Sequence, residues 1–393
     1  MKYALVVPTN RMVYSIESYI ENFLKYGHDL KDIKIIIVDD YSPYRNQCHK
    51  LTTKVSRKYS IVCEYWDIQM QKNFFMKEFH KRWKDLWSVI PHKTDACRSF
   101  GYLIAAKWGA DIIITFDDDN WPLNNQKMLK YDFLGAHRII NHYIKSISIS
   151  SDKKFINTCH FLKKKPSSSY IYARGYPYFR RGERYLISKS EGYVAMNAGL
   201  WLGNPDVDSI TILNEGSMNG IPTTKTVGLK QYSRFIIAPG NMAPINTANT
   251  AYSKKILPCI YDTFQGFDIN GLRLDRFGDI WCNLFIKKII DRVGDLVTFG
   301  IPLVEHRREP RNIFTDLKKE LWGLIITERL VNVVEKMELE SRTYYDCYSE
   351  LIYKLQSNIH NLSGSNHSIK RYFELLCKMM YKWVQLVDKL ELL

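Results

Sequence analysis

The amino-acid sequence predicts an α/β fold in which a mostly parallel β-sheet is flanked by helices and followed by a C-terminal helical region. Two patterns indicate this class. Short β-branched runs alternate with helical segments early in the chain, whereas helical stripes dominate its last part. Alternation of strands and helices is typical of parallel sheets. We therefore expect a sheet-containing domain at residues 1–312 and a helical region at residues 313–393.

The first three elements form a strand–helix–strand unit. Residues 2–7 are a short apolar run that predicts a buried strand. The helix that follows carries Phe23 and Leu24 on its apolar face and stops at Gly27, and residues 33–38 are a second, β-branched strand. This unit indicates that the two strands are parallel.

Carboxylates follow two of the predicted strands. The strand at 33–38 ends in Asp39 and Asp40, and a third strand at 111–116 ends in the acidic residues 117–119. In open α/β sheets, ligands bind beyond the carboxyl ends of the strands. The sequence therefore predicts a ligand site at this edge of the sheet.

The last part of the chain is predicted to be helical. Asp316 is the expected cap of one helix, and Ser368 is the expected cap of the final helix. The final helix carries large apolar residues at helical spacing from Tyr372 to Leu390. This pattern indicates a packing surface rather than a ligand site.

Eight cysteines are scattered along the chain, and none forms a CxxC pair, which excludes zinc-ribbon and thioredoxin-type sites. Scattered cysteines in a long chain suit a reducing compartment, so we expect a cytoplasmic protein, in the host cytoplasm if the source is viral. The sequence has no run of about twenty apolar residues, so no membrane partner is expected.

The chain is strongly basic, with 56 Lys and Arg residues against 41 Asp and Glu residues and a formal net charge of +15. Such a balance favours an anionic partner, although a solvated basic surface gives the same count. Residues 161–190 contain eight basic residues, one acid and several interleaved tyrosines, and a second basic and aromatic stretch covers 72–93. Cations for phosphates and flat rings for bases are typical of a nucleic-acid surface.

The stretch at 161–190 supplies the candidate acceptor contacts for a nucleic acid, and the alternative is a sugar-diphosphate pocket with ordinary aromatic packing. These candidate contacts are Lys163, Lys164, Lys165, Arg180 and Arg181.

The residues after the third strand predict a metal site. Asp117 and Asp119 are spaced i, i+2 at a strand end, so both carboxylates can converge on one hard cation. Mg²⁺ or Mn²⁺ takes oxygen ligands, bridges a diphosphate and acts as a Lewis acid. A solvated acidic turn has the same residues. His306 is a candidate third ligand, although a lone histidine is more often structural.

Two further residues are candidates for contacts with a nucleotide. Asp40 can accept N–H or O–H donors from a uracil or a ribose, or it can cap a turn. Arg98 precedes an apolar helix, where a forked guanidinium suits a phosphate, or it forms a surface salt bridge.

The chain resembles the reversibly glycosylated polypeptide family, the UDP-arabinopyranose mutases of plants. Short segments similar to the family run through most of the chain in the same order. They lie at 7–11, 38–40, 95–102, 116–119, 174–178, 199–202, 205–208, 276–281, 300–302, His306 and 317–320.

The resemblance implies a GT-A-type, Rossmann-like fold, a UDP-pentose substrate and a Mg²⁺ or Mn²⁺ requirement, with Asp117 and Asp119 at the metal. Arg174 falls where the family carries the arginine that becomes reversibly glycosylated, and Arg181 falls where a second family arginine lies. The residues then expected to bind the donor are Pro8, Thr9, Arg11, Asp40, Arg98, Asp118 and Trp201. The candidate catalytic residues are Arg174, Asp208 and Asp279, with Asp206 as a further candidate base.

The chain also departs from the family pattern. Asn120 follows the aspartate triplet where the family has cysteine. Phe277, Gly278 and Asp279 stand where the family has Tyr-Asp-Asp, so one carboxylate is missing.

Three functions follow as expectations. The first is a metal-dependent glycosyltransferase that moves a pentose of arabinose type from a UDP-sugar to an acceptor. The net charge favours double-stranded DNA with hydroxymethylated cytosines, which some bacteriophages glycosylate. The alternative is a UDP-arabinopyranose mutase, which interconverts UDP-arabinopyranose and UDP-arabinofuranose without a macromolecular partner. The third is a non-catalytic nucleic-acid-binding protein, against which the intact aspartate triplet argues.

Overall fold

One large β-sheet lies at the centre of the computed structural model, which describes residues 1–123, 132–230, 234–390 and 392. The strands of this sheet and of a small hairpin are β1 (Tyr3–Thr9), β2 (Ile33–Asp39), β3 (Val62–Trp66), β4 (Ile112–Phe116), β5 (Asn120–Pro122), β6 (Tyr143–Ser151), β7 (Leu162–Lys165), β8 (Tyr185–Gly203), β9 (Lys225–Leu229), β10 (Arg234–Ile237), β11 (Asn249–Ser253), β12 (Phe267–Ile269), β13 (Leu272–Leu274) and β14 (Leu296–His306).

Helices flank the sheet and continue beyond it at the C-terminal side, so the predicted α/β class with C-terminal helices is confirmed. These helices are α1 (Ile16–Lys25), α2 (Arg45–Tyr59), α3 (Ile68–Phe79), α4 (Trp83–Trp87), α5 (Ser99–Lys107), α6 (Phe133–His137), α7 (Ser209–Asn214), α8 (Gly278–Val293), α9 (Ile313–Lys336), α10 (Tyr344–Ser357), α11 (Ile359–Ser363) and α12 (His367–Lys389).

The N-terminal half of the sheet has the strand order β3-β2-β1-β4, and all three pairings in it are parallel. Strands β1, β2 and β4 are buried along their whole length, which explains their continuous apolar runs. The order of the strands reverses beside β1, because β2 lies on one side of it and β4 on the other. Such a switch point leaves a crevice at the carboxyl ends of the strands, where ligands bind.

The other half of the sheet is mixed. Strand β11 pairs antiparallel with both β4 and β8, and the long β8 runs parallel to β14. Strand β14 also pairs antiparallel with the short β5, and this register places His306 opposite Asn120. The last strand of the sheet therefore carries His306 to the residue that directly follows the aspartate triplet.

Three local predictions were wrong. Leu24 is half exposed rather than buried with Phe23. Helix α9 begins earlier than predicted, because the side chain of Asn312 accepts hydrogen bonds from the backbone N–H groups of Phe314 and Thr315. Its first turn contains Asp316, which does not cap it. The final helix is likewise capped by the residue at 366 and not by the serine two positions later.

The C-terminal helices share the hydrophobic core of the sheet-containing part. Trp281 of α8 lies 6.0 Å from Tyr372 and 6.4 Å from Phe373 of α12, measured between ring centroids. Trp383 on the same stripe is fully buried, as expected for a packing surface. The division at residue 312 into a domain and an appendage stays a proposal, since the two parts bury one another.

All eight cysteines are buried and none forms a disulfide. Within the described ranges, no helix combines the length and the apolar character that a membrane crossing requires.

Gly323 lies where α9 packs closely against Phe277, the residue that precedes α8. A Cβ atom at this position would come within 2.1 Å of the Phe277 ring. We expect Gly323→Ala to lower the free energy of unfolding by about 1–3 kcal/mol through overpacking, although alanine is the better helix former. Ile325→Ala, on the more exposed side of α9, is the control, and urea denaturation of both variants is the measurement. Equal stability of Gly323→Ala and wild type would contradict the expected overpacking.

Candidate active site

A cleft of about 330 Å³ opens at the carboxyl ends of β1, β2 and β4. Its walls come from distant parts of the sequence, including the loop after β1, the aspartate triplet and the end of β14. The predicted site residues that line it are Pro8, Thr9, Asp40, Asp117, Asp118, Asp119, Arg174 and His306. The structure therefore gathers these residues around one cavity.

Asp118 is held by the loop that follows β1. The Thr9 hydroxyl donates to its Oδ2 at 2.7 Å, and Arg11 Nε donates to its Oδ1 at 2.9 Å. Arg11 also lies 3.4 Å from Asp119 Oδ2. Three predicted donor-binding residues thus form one network, in which the middle aspartate fixes the loop after β1.

Asp40 lies beside the end of β1, because its backbone N–H donates to the carbonyl oxygen of Thr9 at 2.9 Å. Its Oδ1 accepts a hydrogen bond from the backbone N–H of Lys93 at 2.5 Å. Burial, with a smaller contribution from the neighbouring Asp39, raises the pKa of Asp40 to about 7. This carboxyl group is therefore partly protonated near neutral pH, so it can donate as well as accept a hydrogen bond.

Arg98 does not lie where the sequence predicted it. Its side chain is fully buried beneath the cleft, so a bound phosphate cannot reach it directly. Its guanidinium donates to Asp117 Oδ1 at 2.7 Å and lies 3.1 Å from Asp262 Oδ2. Arg98 therefore positions the first aspartate of the triplet. Trp201, another predicted donor contact, is also buried, within β8.

His306 and Asp119 face each other across the sheet edge. His306 Nδ1 lies 2.8 Å from the carbonyl oxygen of Asn204, and its Nε2 lies 3.6 Å from Asp119 Oδ2. Because a carbonyl only accepts, Nδ1 carries the proton in the neutral ring and Nε2 presents its lone pair. The other carboxylate oxygen of Asp119, Oδ1, is buried and has no hydrogen-bond partner among the described residues.

Asp117, Asp119 and His306 carry donor atoms of the types that a divalent cation takes. Two carboxylates and one imidazole suit Mn²⁺. The buried Oδ1 of Asp119 accepts no hydrogen bond from the described residues, so it is available as a metal ligand. Within the described ranges, no group of three or more His, Cys, Asp or Glu side chains lies close enough together to hold a metal ion by itself. Phosphate oxygens of a ligand and water would complete the shell, as is usual for Mg²⁺ and Mn²⁺ sites.

Arg174 is buried at the floor of the cleft between two carboxylates. Its Nε and Nη2 donate to the two oxygens of Asp206, each at 3.0 Å, and Asp279 lies 3.4 Å away. Burial alone would lower the pKa of Arg174, but these carboxylates raise it well above its ordinary value. Burial alone would raise the pKa of Asp206, but the guanidinium holds it well below its usual range. The cluster is therefore a charged, preorganised unit.

Asp208, a predicted catalytic residue, lies outside this cluster. Its Oδ1 accepts a hydrogen bond from the backbone N–H of Thr211 at 2.8 Å and another from the Tyr178 hydroxyl at 3.1 Å. It therefore caps α7, and its buried side chain does not line the cleft. Of the three candidate catalytic residues, the structure brings together Arg174 and Asp279.

The five predicted acceptor contacts do not line the cleft. Lys163 and Lys165 are exposed on β7, whereas Lys164 is buried with its Nζ over the Tyr170 ring. The last two members of the set are partly exposed and contact other side chains of the protein. Arg180 pairs with Glu335 of α9, and Arg181 stacks 3.6 Å from the centroid of the Tyr178 ring.

The basic and aromatic stretch at 72–93 packs partly into the interior. Phe75 is fully buried, and its ring centroid lies 5.4 Å from that of Trp87. These rings support α3 and α4, so they are not a free stacking surface for bases.

Sequence reasoning missed three basic residues of the cleft, one that precedes α8 and two that follow β14. Arg276, Arg311 and Lys319 line the cleft. The run from Glu305 to Arg311 was a visible signal, but only His306 within it was singled out. Asp262, which faces Arg98, was missed as well, because no local pattern marks a carboxylate paired with a residue so distant in the chain.

A second, larger cleft of about 1100 Å³ adjoins the first. The two clefts share Asp118, Asp119 and His306, so they open on either side of the candidate metal site. Tyr14 and Trp121 add aromatic surface to the second cleft. A ligand in the second cleft would therefore meet a ligand of the first cleft at these shared residues.

The strand order and the acidic crevice at the switch point define an α/β protein whose candidate site lies at the carboxyl ends of the strands. The reversibly glycosylated polypeptide family matches residues 14–392, so the chain belongs to this family.

Known proteins similar to this chain include plant enzymes. It is 27% identical over 312 residues to UDP-arabinopyranose mutase 1 of Arabidopsis thaliana, which covers 77% of this chain and 75% of that protein. It is 28% identical over 315 residues to a probable UDP-arabinopyranose mutase 1 of Solanum tuberosum, covering 78% and 74%. Among solved structures, a mannosyltransferase of Pyrobaculum calidifontis in complex with GDP-Man and Mn²⁺ is similar at 8% identity and a TM-score of 0.39, covering 98% of this chain and 86% of that one.

The candidate metal site generates a binding prediction. We expect the protein to bind Mn²⁺ in the presence of UDP, and Asp119→Ala to weaken that binding more than about tenfold by removing an inner carboxylate ligand. Asp208→Asn is the matched control, because it also removes one acidic charge while asparagine still caps a helix. Isothermal titration measures both. A Mn²⁺ affinity of Asp119→Ala equal to that of wild type would exclude this carboxylate as a ligand.

Proposed function

We propose that this chain is a sugar-nucleotide enzyme that interconverts UDP-arabinopyranose and UDP-arabinofuranose. Membership of the reversibly glycosylated polypeptide family supports this function, as does the similarity to plant proteins named as UDP-arabinopyranose mutases. The observation that carries the proposal is the position of Arg174. It lies at the floor of the cleft that the aspartate triplet lines, at the place of the family arginine that becomes glycosylated.

In the proposed complex, each part of the substrate has its own place in the cleft. The uracil and ribose lie toward Asp40 and the loop after β1, and the diphosphate lies beside the triplet. Asp117, Asp119 and His306 would hold a Mg²⁺ or Mn²⁺ ion, which neutralises negative charge on the diphosphate. The sugar then extends toward Arg174.

The Arg174 cluster supplies the groups needed to detach the sugar and return it. When the bond between C1 of the sugar and the diphosphate oxygen breaks, its electron pair leaves with UDP. A nitrogen of Arg174 then forms a bond with C1. The carboxylates hold this guanidinium protonated, so one proton must pass to Asp279 or Asp206 as the new C–N bond forms. Release reverses the step after the sugar ring has opened and closed through its other hydroxyl.

The proposed activity is tested directly with UDP-arabinopyranose and a divalent cation. We expect conversion to UDP-arabinofuranose, measured by anion-exchange chromatography and NMR. Arg174→Lys should lower the rate by about 100-fold, equivalent to roughly 3 kcal/mol, because lysine keeps the charge but loses the planar fork. A lysine variant with the wild-type rate would place Arg174 outside the reaction. Circular dichroism verifies that the variant is folded.

A second candidate function, favoured by the second cleft, is transfer of the sugar to an external acceptor. The cleft of about 1100 Å³ adjoins the triplet and has room for an acceptor. The net charge of +15 favours a polyanion such as DNA with hydroxymethylated cytosines. The charges at the cleft itself are largely paired, however, since Arg11 contacts Asp118 and Arg307 contacts Glu305.

The DNA acceptor is tested by binding. If the basic stretch at 161–190 holds DNA, the affinity for DNA falls steeply as the salt concentration rises. Replacing the exposed Lys163 and Lys165 by Glu then weakens DNA binding at low salt. Lys50→Glu with Lys54→Glu, on exposed positions of α2, makes the same charge change elsewhere. Titration of hydroxymethylated duplex DNA at two salt concentrations is the measurement. Absence of salt-dependent binding by wild type would remove DNA as the acceptor.

A further inference from the structure

Three arginines meet beside the first turns of α9: Arg308 and Arg311 come from the segment between β14 and α9, and Arg276 comes from the segment before α8. Arg308 Nη2 lies 3.1 Å from Asp316 Oδ2, and Arg311 Nε lies 2.9 Å from the same oxygen. One helical turn further along α9, Glu320 Oε1 lies 2.7 Å from Arg276 Nε. The three guanidinium groups therefore share one wall, which faces the two clefts.

This wall carries more positive than negative charge. Asp316 and Glu320 are the two carboxylates of α9 that pair with the three guanidinium groups, so one positive charge is left over. Two of the carboxylates across the cleft form their ion pairs with other groups. Asp206 binds Arg174 with both oxygens, and Asp119 faces His306 and Arg11.

Arg308 also has unused hydrogen-bond donors. Its side chain is almost wholly buried, with 1% of its area exposed. Its Nε and Nη1 nevertheless donate to no acceptor in the described part of the chain. Buried charged donors are rarely left without an acceptor in folded proteins. A missing acceptor with negative charge accounts for both the surplus charge and the free N–H groups.

The position of the wall indicates what this acceptor is. Arg308 lies two residues after His306, at the end of the strand that reaches the triplet, and Arg311 lines the same cleft as Asp117 and Asp119. An anion here lies between the arginine wall and the candidate metal ligands. Phosphate groups match the planar, forked donors of arginine, and they also bridge to divalent cations.

We infer that Arg308 and Arg311 form a phosphate-binding site, and that its ligand is the diphosphate of a nucleotide sugar. The identification of the diphosphate rests on the proposed function, whereas the phosphate site itself rests on the unpaired donors and the surplus charge. Such a wall retains the nucleotide while the sugar is detached, because it contacts the nucleotide and not the sugar.

The experiment compares three probes by isothermal titration without added metal: inorganic pyrophosphate, UDP and uridine. Arg311→Gln removes a half-exposed member of the site, and Arg308→Lys keeps the charge of the buried member but removes its fork. We expect each variant to bind pyrophosphate and UDP about tenfold or more weakly than wild type, with uridine binding unchanged. Lys318→Gln, on an exposed position of α9, loses the same charge and should bind like wild type.

The outcomes separate the inference from the proposed function. Wild-type affinities for pyrophosphate and UDP in both arginine variants, with unchanged thermal unfolding, would overturn the phosphate site even if UDP-arabinose is converted. If wild type binds pyrophosphate through these arginines but binds UDP no more tightly than pyrophosphate and does not convert UDP-arabinose, the phosphate site stands and the proposed function fails. Because Arg311 is half exposed, Arg311→Gln keeps the test valid if Arg308→Lys does not fold.

Discussion

The buried guanidinium of Arg98 is the group on which the geometry of the acidic crevice depends. It joins the start of α5 to Thr115 and Asp117 at the end of β4, and to Asp262 before α8. A buried cation is tolerated only when its partners remain in place, and removing one partner of such a pair typically costs about 3–5 kcal/mol. The position of Asp117 is therefore coupled to folding. A flexible acidic turn is excluded at this strand end, because its first carboxylate is anchored from below.

A second buried arginine, Arg174, is held in the same way. It forms ion pairs with carboxylates from two other segments, Asp206 after β8 and Asp279 in α8. Together, the ion pairs of Arg98 and Arg174 connect the parallel half of the sheet to its mixed half around one cleft. One departure from the family pattern, the glycine at position 278 in place of an aspartate, fits this arrangement. Gly278 has no room for a side chain, since a Cβ atom would come within 2.8 Å of the Thr263 carbonyl oxygen. The carboxylate that this chain retains, Asp279, is the one that contacts Arg174.

The charge of the protein is distributed differently from the way composition suggested. Part of the basic excess is used internally, as in the pair of Arg180 with Glu335 and the stacking of Arg181 on Tyr178. Another part lies at the wall of Arg276, Arg308 and Arg311, within reach of the crevice. A net charge of +15 therefore does not by itself imply a polyanionic macromolecule, because a small phosphate-bearing substrate also requires cations close to its site.

The sequence by itself determined the α/β class, the strands that end in carboxylates and the family, because periodicity and short motifs are local properties of the chain. It also predicted that residues 117–119 lie at a site, since parallel strands present their carboxyl ends at one edge. Only the tertiary structure decided that Arg98 supports Asp117 from below, that Asp208 caps a helix, and that the basic residues after β14 face the crevice. The physical reason is that these roles depend on burial and on contacts such as the ion pair of Arg98 with Asp262, which packing sets and no local pattern encodes.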